Sequence, residues 1–240
     1  ARLGSIGIGF AGGFGVLVLA MVFGIAPGSI PVDVILIIMS VIAAIAAMQV
    51  AGGLDYMVHL AEIVLRSNPR YITFIAPVVT YTMTMFAGTG LTAFSTLPVI
   101  AEVAKETGVR PSRPLAIATV ASQIAITASP ISAAVIFFAS ELEKVGVSYV
   151  ELLMISIPST FIAVMLSAVV TNFLGKELKD DPVYQDRLAN GLVSKSAGTR
   201  QREIKTGARI SVLIFLLGLI GVVAYATAIS GNVGLIEDPV

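Results

Sequence analysis

The chain has 240 residues, 56% of them hydrophobic and only 12% charged, with 15 Lys+Arg balanced by 15 Asp+Glu; its mean hydropathy is +0.94. A soluble domain carries about 25% charged residues, so this composition excludes a water-soluble enzyme and a basic nucleic-acid binder and points to an integral membrane protein. There is no Cys and a single His, which rules out disulfides and thiolate metal sites and leaves a His-based zinc centre short of ligands; no metal, cofactor or nucleic-acid partner is expected.

A bilayer-spanning helix needs about 20 mostly apolar residues. Residues 6–25 and 32–50 meet that requirement, with Pro27, Gly28 and Pro31 between them as a turn. Residues 51–70 differ. Asp55, His59, Glu62, Arg66 and Arg70 alternate with Leu54, Met57, Val58, Ala61, Val64 and Leu65 at helical spacing, which predicts an amphipathic helix near the membrane interface. His59 on its polar face reads as a solvated side chain.

Residues 71–104 form a long stretch whose one charged residue is Glu102. It is too short for two full spans and a turn. Its middle, Phe86-Ala87-Gly88-Thr89-Gly90-Leu91-Thr92, breaks a helix. Two half-length helices meeting there predict a re-entrant hairpin. Glu102 and Glu106, one turn apart at its inner end, read as a solvated terminus. Residues 115–139 can span, but Ser129-Pro130 interrupts them near the middle. Residues 152–174 form a plain span. Residues 175–209 are a polar, charged linker, and 210–229 the last span.

Lys and Arg favour the cytoplasmic side. With the N-terminus inside, the turn at 26–31 and the tail 230–240 lie outside without a Lys or Arg, while 175–209 lie inside with eight. A single crossing by 71–104 would put that linker outside, so charge parity rejects it. The same count puts 105–114 inside and 140–151 outside.

Non-helical backbone at membrane depth survives only where protein or a water-filled cavity satisfies its polar groups. Transporters use such breaks to hold charged substrates, with half-helix N-termini directing free N–H groups at anions. Two breaks occur here. One is Gly88, Thr89 and Gly90, with Thr92 beside them; the other is Thr127, Ser129 and Pro130, with Ser132 beyond. Ser122 and Gln123 flank the second. Pro130 lacks an N–H and disrupts the preceding turn. No Lys or Arg lies inside a span, so an anion must be held by amides, hydroxyls and dipoles. Each break has a plainer reading, since Gly and Pro are common in membrane helices and Ser/Thr often bond back to their own turn. Gly9, Gly12, Gly13 and Gly15 suit close helix packing.

The strings Met48-Gln49-Val50-Ala51-Gly52-Gly53-Leu54-Asp55-Tyr56, Phe86-Ala87-Gly88-Thr89-Gly90, Leu97-Pro98-Val99-Ile100-Ala101-Glu102-Val103-Ala104-Lys105 and Ala125-Ile126-Thr127-Ala128-Ser129-Pro130-Ile131-Ser132-Ala133-Ala134 resemble the bacterial anaerobic C4-dicarboxylate transporters of the Dcu family. The likeness is nearest to its DcuA branch and covers essentially the whole chain. It implies an inner-membrane exchanger of aspartate, fumarate, malate and succinate that supports anaerobic respiration. Family members are longer, so the chain reads as a fragment whose second repeat is missing.

The expected fold is an all-α integral membrane protein. It has about five spanning helices, one of them broken, plus the hairpin, and forms the first of two inverted repeats of an ion-transporter-type fold. Residues 1–174 would be that first repeat, 175–209 a cytoplasmic linker and 210–240 the first helix of the second. The expected partners are a C4-dicarboxylate, the lipid bilayer and the missing repeat, with room for a homodimer. The expected site joins Gly88, Thr89, Gly90 and Thr92 to Thr127, Ser129, Pro130 and Ser132. A carrier of another anion, or a sodium/proton antiporter of the same fold, is the rival. An intramembrane enzyme lacks a nucleophile–base pair, since Asp33 and Asp55 sit at span ends.

Overall fold

A computed structural model describes residues 4–26, 32–193 and 207–229, all helical or turn and without a strand among them. The turn at Pro27, Gly28 and Pro31, the tail 230–240 and much of the charged linker lie outside the described residues. The chain divides into a small unit, Ala1–Ile35, and a large one, Leu36–Val240. The small unit is built on α1 (Gly4–Phe23). That helix exposes large apolar side chains such as Phe10, Phe14 and Met21, as suits a surface solvated by lipid rather than water.

Helix α2 (Val32–Val50) runs into the large unit and bends by 72° into α3 (Gly53–Ser67). Gly52, at φ 86°, makes the corner. Next come α4 (Ile72–Ala87), a single turn α5 (Leu91–Phe94) and α6 (Leu97–Glu106). Helix α7 (Ser112–Ala125) then ends in a 3-10 turn over Ile126–Ala128 before α8 (Ala133–Glu143). Helix α9 (Tyr149–Asn172) starts with a capping box, Ser148 and Glu151 satisfying each other's main-chain N–H. A short α10 (Pro182–Ala189) and the apolar α11 (Ala208–Ile229) follow.

Among the described residues, three stretches are long and apolar enough to cross a bilayer: Ser112–Glu143 taken across its break, Tyr149–Asn172 and Ala208–Tyr225. The bent pair Ile38–Val50 and Gly53–Ser67 adds a fourth if counted as one span, and α1 contributes only the shorter apolar run Gly9–Phe23. Five spans were expected. The difference comes from that short run and from the corner at Gly52.

The core explains the order of packing. Val58, Ala61 and Leu65 of α3 lie buried with Ile72, Ala76, Val79 and Met83 of α4, Ile100, Val103 and Ala104 of α6, and Ala118 of α7. Helix α3 turns its apolar face to protein, where α4 and α6 together offer it a continuous apolar wall. Its polar edge is also engaged. Arg66 pairs with Glu62 at 3.0 Å, Glu102 at 3.2 Å and Glu106 at 3.0 Å. The inner end of the expected hairpin is thus an ion-pair cluster, not a freely solvated terminus.

Among the described residues, helices α4 and α7 share the most extensive contact. Small residues on α7 and beyond its end, Ala118, Ala121, Ala125 and Ala128, are fully buried and let the backbones approach closely. Thr80 Oγ1 takes advantage of that approach, donating to Ala118 O across the interface at 2.9 Å. Tyr81 ties α4 to α9 as well. Its hydroxyl lies 2.8 Å from Thr160 Oγ1, and its ring meets Phe161 edge-on.

Candidate functional site

Helix α4 ends because Gly88 adopts φ 67°, ψ 5° while its N–H still bonds Thr84 O. A residue with a Cβ pays for this left-handed geometry, and Gly does not. Helix α7 ends because Pro130 cannot donate to the ladder. Ser129 turns to extended backbone at φ −86°, ψ 124°, and Ser132 restarts the chain as the N-cap of α8, accepting from Val135 N.

These two breaks, 40 residues apart in sequence, meet in space. Ser129 Oγ donates to Met85 O at 2.7 Å. Ser122 Oγ donates to Gly90 O at 3.2 Å. A Cβ added to Gly88 would lie 2.9 Å from Ile131 Cγ1 and 3.1 Å from Ile131 O. A Cβ on Gly90 would come within 2.6 Å of the Gln123 side-chain amide. Thr80 meets Ala118, Met85 meets Ser129 and Gly88 meets Ile131, so α4 and α7 run in the same direction. The chain between them must therefore double back. Residues 88–111 do so through α6, whose Ile100, Val103 and Ala104 share the core with α4. The helix–break–helix hairpin read from residues 71–104 has this geometry.

The residues expected in the site do not all arrive alike. Gly88, Thr89 and Gly90 form the tip, with Thr92 fully buried behind it and its hydroxyl on Thr89 O at 3.0 Å. Ser129 and Ser132 are buried, and Ser132 Oγ donates to Ile126 O at 2.6 Å. Pro130 contributes its carbonyl, which accepts from Tyr149 Oη on α9. Thr127 stands apart. It is exposed and bonds back to Ile124 O at 2.7 Å, so its hydroxyl serves its own turn and not the meeting point.

Three contributors carried no distinctive local signal. Met85 offers a main-chain carbonyl, Ile131 a packing surface for Gly88, and Tyr149 a hydroxyl from a helix that starts later in the chain. Thr84 is a further addition. It is fully buried one turn before Gly88, and its Oγ1 is, among the described residues, the buried side-chain polar atom left without a hydrogen bond. Such an atom costs about 1–3 kcal/mol.

Chemically the junction is neutral and rich in main-chain dipoles. The hydroxyls of Thr92, Ser122, Ser129 and Ser132 are engaged with carbonyls in this conformation, while that of Thr84 is not. The free donors are at its edge. A helix leaves its first N–H groups without intrahelical partners, and at the start of α8 the Ser132 cap takes up Val135 N, leaving those of Ala133 and Ala134. The exposed Gln123 amide over Gly90 adds another. No cluster of three or more His, Cys, Asp or Glu suited to a metal occurs among the described residues.

The family model described as "Anaerobic c4-dicarboxylate membrane transporter" matches residues 1–239. A protein named C4-dicarboxylate transporter DcuA from Wolinella succinogenes is 66% identical over 239 residues, covering 100% of this chain and 55% of that protein. Its namesake from Escherichia coli is 61% identical over 240 residues, with 100% and 55% covered. A protein named anaerobic C4-dicarboxylate transporter DcuB, also from Escherichia coli, is more distant, at 42% identity over 190 residues, or 77% of this chain and 43% of that protein. The chain thus spans about 55% of the length of its DcuA-named relatives. No solved structure matches.

Proposed function

The chain belongs to the anaerobic C4-dicarboxylate membrane transporter family, and from that premise we propose that the meeting of its two helix breaks receives a carboxylate of the transported C4-dicarboxylate. The family is one of membrane transporters, not enzymes, and the chain is a multi-pass protein of the bacterial inner membrane. In the proposed reading it takes part in exchange of aspartate, fumarate, malate and succinate. Residues 1–174 act as one transmembrane repeat, and an inverted second repeat contributes the groups for the other carboxylate.

The observation that carries this reading is the contact between Gly88 and Ile131, with Ser129 bonded to Met85 O beside it. Beside the carbonyl ends of α4 and α7, the start of α8 leaves main-chain N–H groups free in a region without charged side chains. An anion is the ligand such a place suits, because the N-terminal end of a helix carries partial positive charge. Ala133 N–H, Ala134 N–H and the Gln123 amide are the donors that need no rearrangement. Ser129 and Ser132 would add theirs by exchanging a carbonyl for a carboxylate, which binds a hydroxyl more strongly. The unpaired Thr84 hydroxyl supports a second arrangement of the junction in which it finds a partner. Alternating access then moves the hairpin and the broken helix as one body, held by the Thr80–Ala118 and Ser122–Gly90 bonds.

The test uses a full-length relative carrying Ser129→Ala or Gln123→Ala at the equivalent positions, assayed for succinate binding. A charge-assisted hydrogen bond contributes about 1.5–3 kcal/mol, so each change should weaken binding about 10-fold or more. Ser167→Ala is the control, because its hydroxyl only bonds back to Ala163 O on an exposed face of α9. Equal affinities for all three variants would refute the site.

A further inference from the structure

A polar cavity lies away from the junction, where α6 hands over to α7 and where α9 ends. It measures about 570 Å³ and is lined by Arg110, Ser112, Lys176, Asp181, Tyr184 and Arg187 among others. Its charges do not cancel. Asp181 is the acid in this lining, and both its oxygens are used. One accepts from Arg110 Nη1 at 3.1 Å. The other accepts from the main-chain N–H of Val183 at 3.0 Å and of Tyr184 at 3.3 Å, capping α10. The side chains of Lys176 and Arg187 have no ion pair or hydrogen bond among the described residues. Two positive charges therefore face the cavity uncompensated.

The chain segments that carry this lining are fastened to each other. Arg113, only 8% exposed, donates to Leu174 O at 2.5 Å, Gly175 O at 2.6 Å and Glu177 Oε1 at 2.5 Å. Leu178 N bonds Gly108 O at 3.3 Å. These contacts fasten the chain after α9 to the start of α7. The span Ser112–Glu143 begins at this level and the span Tyr149–Asn172 ends at it. The cavity thus lies by the shared end of two stretches long and apolar enough to cross a bilayer. Beside it Phe173 and Leu174 expose apolar side chains, 79% and 59%.

We propose that this cavity binds the phosphate of an acidic phospholipid, with Lys176, Arg187 and the free edge of Arg110 on the phosphate and the acyl chains along Phe173 and Leu174. Basic pockets between spanning helices are suited to such headgroups. The neighbouring apolar side chains favour a lipid over free inorganic phosphate, which would gain nothing from them.

The experiment titrates the purified chain in detergent with short-chain phosphatidylglycerol, short-chain phosphatidylcholine and inorganic phosphate, counting bound ligand by native mass spectrometry. Phosphatidylglycerol should bind saturably. Lys176→Gln and Arg187→Gln should each weaken it about 5-fold, from roughly 1 kcal/mol per cation near a charged surface. Phosphatidylcholine should bind less well, because its choline cation offsets the phosphate. Lys179→Gln removes an equal charge from an exposed neighbour outside the lining and should change nothing. Thermal melts of the variants report whether each is folded. Equal losses for Lys179→Gln and the two lining variants, or no saturable phosphatidylglycerol binding, would overturn the proposal. Inorganic phosphate binding as tightly as the lipid would overturn the lipid assignment.

Discussion

Replacing Gly88 by Ala tests the packing of one break on the other. Two separate costs are expected. The first is conformational: φ 67° is left-handed, and a Cβ there costs about 1–2 kcal/mol. The second is steric. The new methyl would sit 2.9 Å from Ile131 Cγ1 and 3.1 Å from Ile131 O. The carbonyl cannot swing aside without moving the Ser129–Ser132 turn, so overpacking adds about 1–3 kcal/mol. The sum is about 2–5 kcal/mol. Gly108→Ala isolates the first cost, since Gly108 has φ +76° with open space where its Cβ would go. Thermal or denaturant unfolding of both variants should therefore show Gly88→Ala as the more destabilising by about 1–3 kcal/mol. Equal destabilisation would refute the contact between the breaks, and with it the argument that α4 and α7 run in parallel.

Arg113→Ala should cost about 1–3 kcal/mol, because it removes three hydrogen bonds from a buried guanidinium to the carbonyls of Leu174 and Gly175 and to the part-exposed Glu177. Arg113→Lys should recover only part of the loss, since one ammonium cannot reproduce the planar fork; full recovery in an unfolding assay would contradict the three-way cap. For topology, single cysteines at Lys179 and Lys144, both exposed in a Cys-free chain, should be labelled by an impermeant reagent from opposite sides of the membrane. Labelling of both from one side would overturn the charge-based orientation.

Much of this architecture was legible in the residues because it rests on local chemistry. Gly88 and Pro130 interrupt helices by their own covalent structure, and both interruptions occur where they were expected. That residues 71–104 double back was read from their length and their broken middle. What stayed hidden depends on contacts between distant segments. Nothing near Pro130 announces that Tyr149 will donate to its carbonyl, and Met85 contributes a main-chain oxygen that any residue could supply. Thr127 shows the converse limit. It lies two residues from Ser129, yet the 3-10 turn faces it outward, so adjacency in sequence did not bring it to the junction. Arg113 was read as one more positive charge on an inner loop. Its burial under the end of α9 follows from where that helix stops, which no pattern around residue 113 encodes.

The shared direction of α4 and α7 makes their lengths interdependent. From start to break α4 has 16 residues and α7 has 14, or about 24 Å and 21 Å at 1.5 Å per residue. The two act as counted rulers laid side by side, with the Thr80–Ala118 bond as the common mark. Inserting one residue between Thr80 and Gly88 would raise the tip by about 1.5 Å and rotate it by about 100°, carrying Gly88 off Ile131 and Met85 O off Ser129. No side-chain change could repair that. Between the common mark and the two interruptions, this pair of helices can gain or lose residues only in concert.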